Sequence, residues 1–110
     1  MRDKGKTTKL ILNKMIEYID DISAIMQTFD FKYEKYLSDK TFQYACNMCV
    51  LQIGELTSRL PDDFKDGHTE IPWRKIKAMR NIYVHEYEEV DFTVVWDVLT
   101  KDIPILRQDL

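Results

Sequence analysis

The sequence contains few residues that interrupt regular structure and few that crosslink a chain. Its 110 residues include three glycines, three prolines and two cysteines. Hydrophobic residues make up 45% of the chain and charged residues 32%, which excludes an intrinsically disordered protein and favours a helical globular one. A chain of this length can bury a core without disulfides or metals. We therefore expect one helical domain over residues 1–110.

Long hydrophobic runs are also absent. No apolar stretch approaches the roughly 18 residues that a membrane-spanning helix needs. The segment Met1–Lys6 is polar and leads into an amphipathic stretch, whereas a secretory signal has a continuous apolar stretch there. We therefore expect a cytoplasmic protein with no membrane partner. The net charge of −3 argues against a protein that coats nucleic acid non-specifically, although it leaves room for one local basic site.

Cysteine and histidine are too sparse for most metal sites. Cys46 and Cys49 form one C-x-x-C pair inside an apolar helical pattern. Because a zinc site needs a second pair of ligands, the pattern favours buried reduced thiols over redox or metal chemistry. His68 lies in a polar loop and is expected to be solvated, without a catalytic role. We expect no metal and no cofactor.

Four amphipathic stretches predict an all-α protein, an up-down bundle of four main helices with short connecting helical turns. The predicted helices cover residues 7–28, 39–60, 73–87 and 92–106. Ser38 or Asp39 is expected to cap the second helix and Asp91 the fourth. Pro104 is expected to kink the fourth helix or to leave only a short tail. The predicted apolar face of the fourth helix comprises Val94, Val95, Val98, Leu99 and Ile103.

Two features predict how these helices are connected and packed. The aromatic connector Phe29–Leu37 is expected to form one short turn and to cover the end of the core, and residues 61–72 to form a polar loop. Gly54 lies inside the second helix, where glycine costs up to about 1 kcal/mol relative to alanine. We therefore expect close helix packing at this position. The brief connection before the fourth helix predicts that the third and fourth helices are antiparallel.

The third predicted helix has two different faces. At about 100° per residue, one face comprises the apolar residues Met79, Ile82 and Tyr83. The opposite face comprises Arg80, Asn81, His85 and Tyr87, arranged around Val84. A polar group centred on an apolar residue suits an interface or a cleft better than open solvent.

Charge changes sign along this helix. Its beginning is basic, with Arg74, Lys75 and Lys77 as candidate contacts for phosphates, and residues 86–91 are mainly acidic. The helix dipole favours the opposite order. On charge alone the pattern favours a solvated charged face, with cations that bind an anion as the alternative.

Arg80 and His85 together suggest metal-free cleavage of RNA. Histidine can exchange a proton near neutral pH, and arginine suits a phosphate. A base that removes the proton of the RNA 2′-hydroxyl, beside a cation that stabilises the phosphate, would leave a 2′,3′-cyclic phosphate and a 5′-hydroxyl. Such cleavage works best with both a base and an acid, and a two-fold homodimer would bring two copies of His85 into one groove.

The segment Arg80–Tyr87 resembles the R-x4-H-x-Y signature of HEPN domains, specifically the HepT-like toxins. Three further segments are similar to this family: Gln52–Glu55, Ile71–Arg74, and Trp96 with the pair Ile103–Pro104. The resemblance thus extends over nearly the whole chain. One departure is Glu86, where many members carry a small residue, and its negative charge is expected to weaken RNA affinity.

The resemblance implies a helical bundle that dimerises through the motif helix and acts as a metal-independent ribonuclease toxin. It implies Arg80 and His85 as catalytic residues, with Asn81 and Tyr87 in support. It also implies a type VII-like pair of the HepT/MntA type, in which a minimal nucleotidyltransferase antitoxin transfers AMP from ATP to Tyr87. The implied assembly is a homodimer, alone or in a larger assembly with the antitoxin.

Two other functions remain open from the sequence. The chain could be a non-catalytic dimeric subunit that docks a nucleotidyltransferase and assists nucleotide or substrate binding, with Arg80 contacting phosphate. It could also be a helical dimerisation domain whose polar residues form only an interface network. RNA cleavage by purified protein distinguishes the ribonuclease from these two alternatives.

Overall fold

The computed structural model describes residues 4–85 and 91–110, and the side chains of residues 5–80 and 91–110. Over these residues the protein is all-α, as the sequence predicts. The helices are α1 (Lys4–Thr28), α2 (Tyr33–Ser38), α3 (Lys40–Ser58), α4 (Asp62–Asp66), α5 (Trp73–His85), α6 (Phe92–Asp97) and α7 (Ile103–Asp109), with a π-helical segment (Val98–Asp102) between α6 and α7. No helix within this part of the chain is both long and apolar enough to cross a membrane.

Helix α3 lies at the centre of the bundle, because it packs against both α1 and α5. The buried stripe of α1 comprises Ile11, Met15, Ile19, Ile22 and Met26. The spacing predicts Leu12 in place of Ile11, and Leu12 is only partly buried against the core. The buried side of α3 comprises Phe42, Cys46, Cys49, Val50, Ile53 and Leu56. Full burial of one such side chain contributes about 1.5–3 kcal/mol, so these two stripes account for much of the core.

The aromatic connector covers one end of this core, as predicted. Phe29 stacks on Phe42 with ring centroids 4.4 Å apart. Tyr36 is fully buried, and its hydroxyl donates a 2.7 Å hydrogen bond to Oδ1 of Asn47. Its ring also lies 5.4 Å from that of Trp96. The connector therefore fastens α3 to α6 through aromatic contacts.

Helix termini follow local hydrogen-bonding rules. Asp39, rather than Ser38, caps α3, because its side chain accepts a hydrogen bond from the backbone N–H of Phe42 at 3.1 Å. Asp91 caps α6 in the same way by accepting from Thr93 N–H at 3.0 Å. The segment 61–72 is not entirely a loop as predicted, because the short helix α4 begins directly after Pro61.

The chain stays helical through Pro104, the residue that was expected to kink the fourth helix or to leave only a short tail. The backbone N–H of Ile103 donates to the carbonyl of Val98, five residues earlier, which is a π-helical bond. Proline lacks an N–H and its ring crowds the carbonyl four residues before it, and a wider π turn accommodates both effects. α7 then extends to Asp109. Val94 was predicted on the apolar face of the fourth helix but lies at its edge, with 36% of its surface exposed.

Candidate functional site

Helix α5 is anchored to the bundle at its beginning and along one face. Pro72 precedes it, and the indole N–H of Trp73 donates a 3.0 Å hydrogen bond to the carbonyl of His68. Ile76 and Met79 are buried, in agreement with the predicted anchoring face for Met79. α5 therefore has a fixed position against α3.

Gly54 allows the closest approach between these two helices. A Cβ atom added to Gly54 would lie 3.0 Å from the Arg80 Cβ and 3.1 Å from the carbonyl oxygen of Ile76. Contacts this short are tighter than nine in ten of those that real Cβ atoms make, so a neighbouring atom would have to move by a few tenths of an ångström. This confirms the prediction that a glycine inside α3 marks close helix packing.

Arg80 is held by the residue that follows this glycine. Its Nε donates a hydrogen bond to Oε1 of Glu55, within an ion pair that joins α5 to α3. The side chains of Arg80 and Glu55 are 39% and 41% exposed. The guanidinium group is therefore fixed at the edge of a helix contact and is still accessible to an anion from solvent.

The other predicted site residues lie on α5 or beyond its described end. The backbone of Asn81 and His85 belongs to α5, but their side chains lie outside the described residues, as does Tyr87. Five residues of α-helix separate Arg80 from His85, a rise of about 7.5 Å along the axis. Their catalytic and supporting roles, and the predicted antiparallel arrangement of α5 and α6, stay predictions.

The three basic residues at the beginning of α5 have different surroundings. Arg74 and Lys77 are exposed. Lys75 forms ion pairs with Asp102 at 2.8 Å and with Asp97 at 3.7 Å. The hydrogen bond to Asp102 is the main reason that the pKa of Lys75 is raised above its ordinary value. Lys75 would have to leave these carboxylates to contact an RNA phosphate.

The two cysteines and the loop histidine pack within the bundle. Cys46 and Cys49 are free and buried, as predicted, and burial raises their pKa values to about 12 and about 11. His68 is half-buried instead of solvated, because it stacks on Phe64 with ring centroids 4.3 Å apart. Within residues 4–85 and 91–110, no group of three or more His, Cys, Asp and Glu side chains is arranged to hold a metal ion.

A separate apolar groove of about 610 Å³ lies between α1 on one side and the π-helical segment and α7 on the other. Ile22, Met26, Phe31 and Ile103 line it, and Arg107 donates a 3.2 Å hydrogen bond to Asp20 at its edge. None of its lining residues comes from α5. The groove is therefore distinct from the surroundings of Arg80.

Sequence reasoning did not assign a role to Glu55. It lies 25 residues before Arg80, so no local pattern connects the two. The available signal was its position beside Gly54, because an acidic residue next to a close helix contact is within reach of a cation on the opposing helix. Glu55 is the residue that the structure adds to the candidate site.

Comparison with known proteins assigns the family. Residues 15–110 match the family model described as "Ribonuclease HepT-like". The chain is 36% identical over 96 residues to "Probable ribonuclease HepT" of Thermococcus cleftensis, covering 83% of this chain and 87% of the relative. It is 32% identical over 101 residues to "Putative RNase MJ1216" of Methanocaldococcus jannaschii, covering 92% and 82%. No solved structure matches the chain. The protein therefore belongs to the HepT-like family.

Proposed function

We propose that this protein is an endoribonuclease that cleaves RNA without a metal ion, at a site formed by Arg80 and His85 across a homodimer. Membership of the HepT-like family supports ribonuclease activity. The observation that carries the proposal is the arrangement of Arg80, which is bonded to Glu55, partly exposed, and five residues before a histidine of the same helix.

The proposed reaction uses the nucleophile that RNA carries. His85 removes the proton of the 2′-hydroxyl, and the 2′-oxygen then attacks the adjacent phosphorus. Arg80 stabilises the charge on the phosphate oxygens as this bond forms. The bond between phosphorus and the 5′-oxygen breaks, which leaves a 2′,3′-cyclic phosphate and a 5′-hydroxyl.

A homodimer would supply the acid that this reaction requires. The leaving 5′-oxygen needs a proton, and the second copy of His85 is proposed to donate it. Asn81 is proposed to support the site through its amide, and Arg74 and Lys77 to contact RNA phosphates. Because Arg74 and Lys77 are exposed, they are better placed for this than Lys75, which is paired with Asp102.

We further propose a cytoplasmic partner, a minimal nucleotidyltransferase that acts as antitoxin. The phenol oxygen of Tyr87 attacks the α-phosphorus of ATP, pyrophosphate leaves, and AMP stays attached to the tyrosine. The added phosphate would engage Arg80 and compete with RNA for the same cation. This would make the protein the toxin of a type VII-like toxin–antitoxin pair, as a homodimer or in a larger assembly with the antitoxin.

The direct test of the chemistry uses two oligonucleotides that differ at one atom. Purified protein is incubated in excess chelator with an RNA, and with the same RNA carrying a 2′-deoxyribose at the mapped cleavage position. We expect cleavage of the first with a 2′,3′-cyclic phosphate product, and no cleavage of the second at that position. Loss of activity in chelator would contradict metal-free cleavage. No cleavage of any RNA, with the nucleotidyltransferase still bound, would favour the non-catalytic docking subunit.

Intact-mass spectrometry tests the proposed modification of Tyr87. The protein is incubated with ATP and the candidate nucleotidyltransferase, and the Tyr87→Phe variant is the matched control. We expect the mass of one or more AMP groups on the parent protein and none on the variant. Equal modification of both proteins would place the acceptor at another residue.

A further inference from the structure

Glu55 and Arg80 form an ion pair that joins α3 to α5. The Nε of Arg80 donates to Oε1 of Glu55. We propose that Glu55 is a positioning residue for Arg80, an inference that rests on the proposed function. Glu55 touches no reacting atom in this scheme and acts on the reaction by orienting the guanidinium group.

The backbone positions of both residues are set by the packing of α3 against α5. Ile53, Ile76 and Met79 are buried at this contact. A methyl group at Gly54 would lie 3.0 Å from the Arg80 Cβ, so the two helices pack closely here. Because Glu55 follows Gly54 on α3, this close packing brings its carboxylate to Arg80.

Orientation is the main consequence that this ion pair can have. Partly exposed ion pairs contribute only about 0–1 kcal/mol to stability, and both side chains here are about two-fifths exposed. An arginine side chain carries about 2 kcal/mol of rotamer entropy. A hydrogen bond to Nε restricts the orientation of the guanidinium plane before RNA binds. Arg80 therefore loses less side-chain entropy when the transition state forms.

The Glu55 carboxylate also has an unfavourable effect on RNA binding, and kinetics can separate it from the positioning of Arg80. A negative charge beside a phosphate-binding arginine repels RNA. If repulsion were its main effect, removal of Glu55 would lower KM and leave kcat unchanged. If positioning dominates, removal lowers kcat while KM stays constant or falls.

The kinetic test compares Glu55→Ala with Glu55→Gln. Glutamine keeps an oxygen that can accept the Nε hydrogen bond but carries no charge. We expect kcat for RNA cleavage to fall on the order of 10- to 100-fold in Glu55→Ala, and clearly less in Glu55→Gln. The matched control is Asp20→Ala, which removes a comparable pair between Arg107 Nε and a carboxylate, 3.2 Å apart, on α7 and α1. This control should keep the parent kcat.

A spectroscopic measurement tests the positioning without RNA. In a ¹H–¹⁵N spectrum, assigned with Arg80→Lys, the Arg80 Nε–H signal should exchange slowly with water in the parent and fast in Glu55→Ala. Slow exchange that persists in Glu55→Ala would overturn the inference. So would parent kcat in Glu55→Ala when Arg80→Ala is inactive. If the parent itself cleaves no RNA, the proposed function fails, and the exchange measurement still decides whether Glu55 orients Arg80.

Discussion

Gly54 and Arg80 pack so closely across two helices that a methyl group on Gly54 would press against the Arg80 Cβ. The distance from a Cβ at position 54 to the Arg80 Cβ would be 3.0 Å. The position of the Arg80 Cβ therefore depends on Gly54, which has no side chain. Stability and the position of Arg80 depend on the same contact.

Gly54→Ala should destabilise the protein by about 1–2 kcal/mol. Overpacking typically costs about 1–3 kcal/mol, and the higher helix propensity of alanine returns up to about 1 kcal/mol. Urea denaturation measures the net loss. Gly67→Ala is the matched control, because its added Cβ would meet only ordinary contacts at 3.6 Å. We expect the free energy of unfolding of that control to be unchanged or raised by less than about 1 kcal/mol. Equal losses in both variants would contradict the role of Gly54.

Tyr36→Phe should lower the free energy of unfolding by about 1–2 kcal/mol, because Oδ1 of Asn47 loses a buried donor. Tyr33→Phe makes the same chemical change at an exposed site, where the hydroxyl lies 3.1 Å from Thr93 Oγ1. That variant should change stability by less than about 0.5 kcal/mol. Thermal and urea denaturation of both variants measure the difference. A larger loss in Tyr33→Phe would contradict the account of the aromatic cover.

Cys46 and Cys49 should be unreactive in the native protein. Burial raises their pKa values to about 12 and about 11, and only the thiolate attacks an aromatic disulfide reagent. At about pH 8 we expect neither cysteine to react with the reagent in buffer, and two cysteines per chain to react in urea. Rapid reaction of either cysteine in the folded protein would contradict its structural role.

Asp97 should make stability depend on pH in the acidic range. Its pKa is lowered from the ordinary value of 3.8, mainly by the hydrogen bond from Lys101. The Lys101 Nζ and the Asp97 Oδ1 are 3.0 Å apart. The ionised group therefore stabilises the folded state above the unfolded pKa, and this contribution disappears as pH falls through the lowered folded pKa. We expect the parent to be more stable than Asp97→Asn at about pH 6, with the difference shrinking as the pH falls through the lowered pKa of Asp97.

Asp62→Asn is the control for this measurement. Asp62 is 94% exposed and lies 3.8 Å from Lys65, so its loss should have a smaller effect at about pH 6. An Asp97→Asn difference that stays constant from pH 6 to acid would show that ionisation of Asp97 is not responsible.

The helices and the core could be predicted from the sequence because they depend on local spacing. The stripe of α1 and the interior glycine of α3 each carry a signal within a few residues. The Arg80–Glu55 pair could not be predicted in this way, since it joins positions 25 residues apart and depends on how two helices pack. The ion pair of Lys75 could not be predicted for the same reason, because its partner Asp102 lies far along the chain in the π-helical segment.

The surroundings of Pro104 and of Val94 were only partly visible in the sequence pattern. Pro104 was expected to kink the last helix or leave a short tail, and in the structure a π-helical segment precedes it and α7 continues to Asp109. Val94 fits the apolar spacing but is partly exposed, because the buried stripe runs through Val95, Val98 and Leu99. Helical periodicity identifies an apolar face more reliably than it identifies the residues at the edge of that face.

The rate of RNA cleavage by purified His85→Ala protein decides whether Arg80 and His85 form the active site. The parent, Arg80→Ala, His85→Ala and the surface control Arg107→Ala are compared on one RNA in excess chelator, after circular dichroism and light scattering show equal folding and equal mass. We expect Arg107→Ala to keep the parent rate, and His85→Ala and Arg80→Ala each to lose at least about 100-fold. Cleavage by His85→Ala at the parent rate would contradict the proposed site.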